Sequence, residues 1–153
     1  MKSNILISVL FSLLTIDGFG QVRKTPLTRE EKLNATYCSS LFSTVDGIYF
    51  DLENDDNSLN SSGYTNILDW LQGRVAGLQV FNYMNKRIPV IRNYPAAVFV
   101  DEMRVDAGYL NLLPASDIAM IKIIKTPFIG SWGSAGGAIA IYTRNGEEEE
   151  TDQ

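Results

Sequence analysis

The sequence predicts a small α/β or α+β domain. Two observations carry this: short runs of strand length recur between residues 48 and 143, and short amphipathic segments stand between them. Gly, Pro, Asn and Asp punctuate the joins, as turns require.

Taken in order, "MKSNILISVLFSLLTIDGFG" has one positive charge at Lys2, an apolar stretch from Ile5 to Ile16, and Gly18 and Gly20 at positions −3 and −1 before Gln21. This is the architecture of a secretory signal peptide over residues 1–20, and its apolar core is too short for a spanning helix. The single cysteine, Cys38, lies far beyond that cleavage site, so it is not a lipid-anchor cysteine and has no internal disulfide partner. Residues 21–63 read as a leader, a weak helix and an acidic loop. Leu33, Tyr37 and Leu41 are spaced four apart over Arg29 to Leu41, a strand-like piece surrounds Ile48 to Leu52, and the polar run that follows is expected to be the least ordered internal segment.

Residues 64–144 are the patterned domain. Thr65 or Asn66 is a candidate N-cap for a helix bearing Ile67, Leu68 and Leu71. Strands follow at Leu78 to Phe81 and in "RIPVIRN", and "AAVFVDEMRV" is a third stretch that turns near Asp101 and Glu102. "GYLNLLPASDI" is a short helix stopped by Pro114, with Ser116 or Asp117 opening the next piece. Ile118 to Lys125 alternates as a strand with Ile121 and Ile123 inward, and "GAIAIYT" is the last strand. Residues 145–153 are an acidic tail.

Composition narrows the chemistry. The 153 residues hold 18 acids and 13 bases, a net charge of −5, and loss of Lys2 and Asp17 with the signal leaves that balance unchanged. No basic stripe is present to displace counterions, so nucleic-acid binding is not expected. Histidine is absent, which removes the commonest general base and metal ligand. Cys38 has no activating neighbour. Asp101 and Glu102 would point to opposite faces if they lay on a strand, and a turn would relax that objection without making a turn acid catalytic. "DLENDDN" places acids at alternate positions, but a calcium loop needs glycine where Asp56 stands and glutamate where Ser62 stands. No enzyme, cofactor or metal is expected.

The glycine run from Gly130 to Gly137 opens a strand. A phosphate cradle opens a helix and carries a lysine, and neither holds here. Gly136 and Gly137 are expected to supply backbone angles closed to other residues.

The pieces "ILDWLQGRVAGLQV", "PVIRN", "AAVFVDEMRV", "LLPASDIAMIKIIK" and "WGSAGGAIAIYTR" stand in the order found in plug domains of TonB-dependent outer-membrane receptors, and the chain resembles that family from Asn66 to Arg144. The glycan-importing, starch-utilisation-type branch is the most similar. Leu71 to Val75 match the family's "LQGRV", with Ala76 in place of its proline. Ile91 and Arg92 match "IR", with Asn93 for its glycine. Val100 and Asp101 match the start of a "VIDG"-like turn, with Glu102 for its glycine. Trp132 to Ser134 replace "YGS", and Gly136 and Gly137 follow one residue early.

The resemblance implies a four-stranded mixed sheet flanked by short helices, normally seated inside a barrel of about 22 strands. It also implies structural roles for Gly73, Gly133, Gly136 and Gly137, and partner-facing positions for Arg74, Arg92, Asp101 and Glu102. A receptor would continue into its barrel after Arg144, whereas "NGEEEETDQ" follows here. The expected protein is therefore a stand-alone, non-enzymatic plug in the periplasm, associated with the outer membrane. It would occlude or regulate a β-barrel of a separate chain in trans, such as a type IX secretion translocon or an uptake complex, without spanning the membrane itself. The alternative is a periplasmic binding or adaptor module that reuses the plug fold. Its aromatics, Tyr64, Trp70, Phe81, Tyr83, Tyr94, Phe99, Tyr109 and Trp132, are then candidates for a recognition surface.

Overall fold

Helix α1 spans Arg29–Tyr37 and begins with a capping box: the Glu31 amide donates to Thr28 Oγ1 (3.2 Å) while the Thr28 amide donates to Glu31 Oε2 (2.7 Å). It stops at Cys38, which is extended, so Leu41 is not on the helix. The structure is a computed structural model and describes residues 26–39, 41–44, 46–54, 63–84, 86–127 and 135–144. The expected signal peptide, the acidic run from Asp55 to Ser62, Gly133 and the acidic tail lie outside the described residues.

Eleven further elements follow among the described residues. They are β1 (Ile48–Asp51), α2 (Ile67–Leu71), β2 (Leu78–Tyr83), β3 (Lys86–Ile91), β4 (Tyr94–Pro95), β5 (Ala97–Val100), β6 (Met103–Val105), 3-10 turns at Ala107–Asn111 and Ala115–Asp117, β7 (Ile118–Ile124) and β8 (Ala138–Thr143). Asn66 is the N-cap of α2, its Oδ1 accepting from the Leu68 amide at 2.9 Å. "GYLNLLPASDI" becomes two 3-10 turns and not one helix: Asp106 caps the first, and Pro114 precedes the second.

The sheet is larger than the four strands expected. Five strands run in the order β1-β7-β8-β5-β6, with β5 and β8 parallel and the other pairs antiparallel, and β2-β3-β4 form a separate three-stranded sheet. The additional pairings are long-range or very short. Ile48 meets Ile123 across the middle of the chain, and β4 has two residues.

The five-stranded sheet is buried on both faces. On one, Ile121, Ile123, Ile139, Ile141, Val98 and Val100 pack with Ile67, Leu68, Trp70 and Leu71 of α2 and with Leu78 and Ile91 of the smaller sheet. On the other, Ala97, Phe99, Met120, Ala138, Ala140 and Tyr142 pack under Leu33, Cys38 and Phe42. Phe42 meets Phe99 edge to face at 5.0 Å between centroids. Burial on both faces makes β7 a continuous buried run rather than a half-exposed alternation. No described helix is long and apolar enough to cross a membrane.

Candidate partner-binding surface

Two tight hairpins position the residues singled out by the sequence. Ile91 pairs with Tyr94, so Arg92 and Asn93 form a two-residue loop with φ of 52° and 68°. Val100 pairs with Met103, so Asp101 and Glu102 form another, with φ of 48° and 63°. Two successive left-handed residues are the geometry that matches the twist of flanking strands, and it favours Asn and Gly. Arginine and glutamate there are strained, and such strain collects where a side chain is needed.

At the second loop the need is internal. Asp101 accepts from the Thr143 amide (2.9 Å) and hydroxyl (2.8 Å). Glu102 accepts from the Ser39 amide (2.7 Å), the Ser39 hydroxyl (2.9 Å), the Leu41 amide (3.5 Å) and the Tyr142 hydroxyl (3.3 Å). Both acids thus fasten other parts of the chain. With Thr36, Tyr37 and Ser39 they line an open polar cavity of about 410 Å³.

At the first loop the Arg92 side chain is exposed, and among the described residues no hydrogen bond or ion pair engages its guanidinium; its backbone amide donates to Gly77 O at 3.2 Å. Between Asp69 and Asp101 the chain has no acid but four bases, Arg74, Lys86, Arg87 and Arg92. The other three turn inward on this molecule. Arg87 holds Asp69 through Nε (3.1 Å) and Nη2 (2.9 Å), and Lys86 holds Asp106 at 3.2 Å. Arg74 donates to Trp70 O at 2.8 Å and lies 4.5 Å over the Trp70 ring. Arg92 is left aimed at solvent from a strained backbone.

The three-stranded sheet that carries Arg92 also presents exposed aromatics, Phe81 and Tyr83 on β2 and Tyr94 on β4. Phe81 is 53% exposed, Tyr83 61% and Tyr94 57%. Phe81 faces Ile88, and Tyr83 faces Lys86, across the β2–β3 ladder.

The glycines that open β8 serve packing. A Cβ on Gly136 would run into the backbone oxygens of Tyr94 and Pro95, and one on Gly137 into the Ile124 oxygen; Gly137 also has φ of +87°. Gly73 has φ of +93° with open space around it. The close approach lets the Gly136 amide reach Pro95 O and the Ala97 amide reach Gly137 O, which ties β8 to β5.

The sequence reading missed Lys122. It lies in the middle of β7 with no exposure, and its ammonium donates to Asn34 Oδ1 (2.8 Å), Phe42 O (2.6 Å) and Thr44 O. Burial pulls its pKa below the ordinary lysine value. The signal available in the sequence was a lysine inside the apolar run "IAMIKII". Cys38 is buried, and burial pushes its thiol up, away from the reactive thiolate. Among the described residues no cluster of acids and cysteine is arranged to hold a metal ion.

The fold has counterparts in larger uptake proteins. The chain superposes on the siderophore receptor PirA from Acinetobacter baumannii with a TM-score of 0.52 at 18% identity, over 78% of this chain and 19% of that one. It superposes on the ferric yersiniabactin uptake receptor FyuA from Yersinia pestis with a TM-score of 0.51 at 18% identity, over 69% and 18%. With the RagAB peptide importer in its open-open state the TM-score is 0.50 at 22% identity, over 67% and 12%. The likeness is one of fold. The chain spans less than a fifth of each of these proteins, so the likeness covers one segment of them and not the whole. No protein-family model and no curated protein matches the sequence.

Proposed function

We propose that this chain is a non-enzymatic, plug-like module that occludes or regulates an outer-membrane β-barrel supplied by a separate chain, acting from the periplasmic side. The fold likeness carries this reading: the α+β body corresponds to under a fifth of two receptors and an importer. The exposed, strained Arg92 supports it, because barrel interiors are polar and a guanidinium engages a wall carboxylate through two parallel hydrogen bonds. Arg74, Asp101 and Glu102 are proposed as further contacts, each of which also braces the chain itself, through Trp70, Thr143 and Ser39 respectively. A type IX secretion translocon or an uptake complex, including one for glycans, is the kind of barrel that needs such a seal.

The experiment is affinity purification of the tagged chain from solubilised outer membranes, followed by mass spectrometry. A stoichiometric barrel in the eluate is the expected result, and purely soluble, partner-free material overturns the reading. One observation favours a second reading, a binding or adaptor module: Phe81 and Tyr83 stand side by side on the exposed face of β2. That module would retain affinity for a soluble peptide or glycan without any barrel.

A further inference from the structure

Lys122 reaches its partners through the segment that, among the described residues, covers the second face of the large sheet. All three oxygens on its ammonium belong to the stretch from Thr28 to Thr44: the Asn34 side chain and the carbonyls of Phe42 and Thr44. None is a carboxylate. The Tyr49 ring lies 5.1 Å from the ammonium, and the Tyr49 hydroxyl donates to the same Asn34 oxygen at 3.1 Å. From the other end of the sheet, Glu102 takes the amides of Ser39 and Leu41 and the Ser39 hydroxyl. Arg29 to Asp51 (3.3 Å) and Tyr37 to Glu53 complete the ties.

We propose that the segment from Thr28 to Thr44 is a detachable strap, latched by Lys122 and Glu102, that lifts from the sheet as a unit while the rest of the domain stays folded. The inference stands on the packing of this chain alone and not on the plug reading.

Three features support it. Among the described residues the strap contributes three buried apolar side chains, Leu33, Cys38 and Phe42, whereas the opposite face is sealed independently by α2 and the smaller sheet. Regions with few buried apolar contacts open at lower free energy than the global fold. The latches are polar groups that water satisfies once they are released: an ammonium, a carboxylate, amides and carbonyls. Opening therefore strands no buried donor or acceptor. What it uncovers is a sheet face of Ala97, Phe99, Met120, Ala138, Ala140 and Tyr142.

Cys38 reports the motion, since it is the one cysteine in the chain and is carried by the strap with its side chain buried against the sheet. Purified full-length protein is pulsed with a fluorescent maleimide across a series of low urea concentrations, and tryptophan fluorescence and far-UV circular dichroism follow the rest of the fold. The expected result is labelling much faster than global unfolding and nearly independent of urea. In Lys122→Met and Glu102→Gln, labelling accelerates by about tenfold or more, equivalent to about 1.4 kcal/mol, with fluorescence and dichroism unchanged. Labelling that tracks global unfolding in urea overturns the proposal. So does wild-type labelling in Glu102→Gln, which preserves the buried core should Lys122→Met fail to fold.

Discussion

Lys122 and Asn34, 88 residues apart in sequence, meet at 2.8 Å and fix helix α1 to strand β7. The same Asn34 oxygen receives the Tyr49 hydroxyl, so one buried amide joins three elements. That junction makes the Thr28 to Thr44 segment sensitive to any change in the charge of its neighbours.

Alkali should release it. Burial, then Glu53, raises Tyr37 from 10.0 to about 12; burial also raises Tyr49 from 10.0 to about 12 and Tyr142 in the same direction. A phenol whose folded-state pKa is raised stabilises the fold below its ordinary pKa, and that stability is lost as pH rises from about 10 through about 12. Lys122 acts oppositely, because its lowered pKa favours the closed state as pH rises toward 10.5. Loosening should thus begin above the lysine range. Tyrosinate absorbance is expected to show residues titrating near 12, with Cys38 becoming reactive in the same interval. Uniform titration near pH 10 with the dichroism intact would contradict it.

Gly137 and Gly73 share a left-handed backbone but differ in surroundings, so alanine at the two should cost different amounts. Left-handed strain alone is about 1–2 kcal/mol, the expected loss for Gly73→Ala. Gly137→Ala adds a methyl group against the Ile124 oxygen, and Gly136→Ala sets one against the Tyr94 and Pro95 oxygens where β8 meets β5. These two should each lose more than about 3 kcal/mol or fail to fold. Equal urea midpoints for all three variants would show that the close approach is not tight.

Much of this architecture was legible. β7 and β8 announced themselves by apolar runs, and Asn66 by its place before Ile67. The turn at Asp101 was readable because two strand-like runs flank a polar pair. What escaped depended on distant chain. Lys122 reads as the outward residue of an alternating strand, and it is buried only because a segment some 80 residues earlier folds over it. β1 joins the sheet through a pairing that no local pattern encodes. Leu41 kept the helical spacing of Leu33 and Tyr37, yet the chain turns extended at Cys38. The bracing of Arg74 was nearer to hand, since Trp70 and Arg74 are four residues apart.

Relaxing Arg92 should separate stability from function. Its φ of 52° suits Asn better than Arg, so Arg92→Asn is expected to stabilise the fold by about 0.5–1 kcal/mol. On the plug reading the same change removes the outward guanidinium and weakens barrel capture. Higher urea stability with lower co-purification is the expected pair of results. Unchanged stability would remove the argument from strain.

The two arginines aligned with the plug family should then behave differently. Arg74 is spent on its own molecule through Trp70 O and the Trp70 ring, so Arg74→Ala should lower stability by about 1–2 kcal/mol. Arg92→Ala removes no contact with the described residues and should leave stability within about 0.5 kcal/mol. In the membrane eluate the order reverses. A wall carboxylate deprived of its guanidinium at a water-poor interface costs roughly 2–5 kcal/mol, so Arg92→Ala should reduce barrel recovery by well over tenfold. Arg74→Ala should reduce it less, in step with the folded fraction. Barrel recovery at wild-type yield from Arg92→Ala would dismiss Arg92 as the contact. A larger loss from Arg74→Ala, with that variant fully folded, would move the contact to the Trp70 side of the domain.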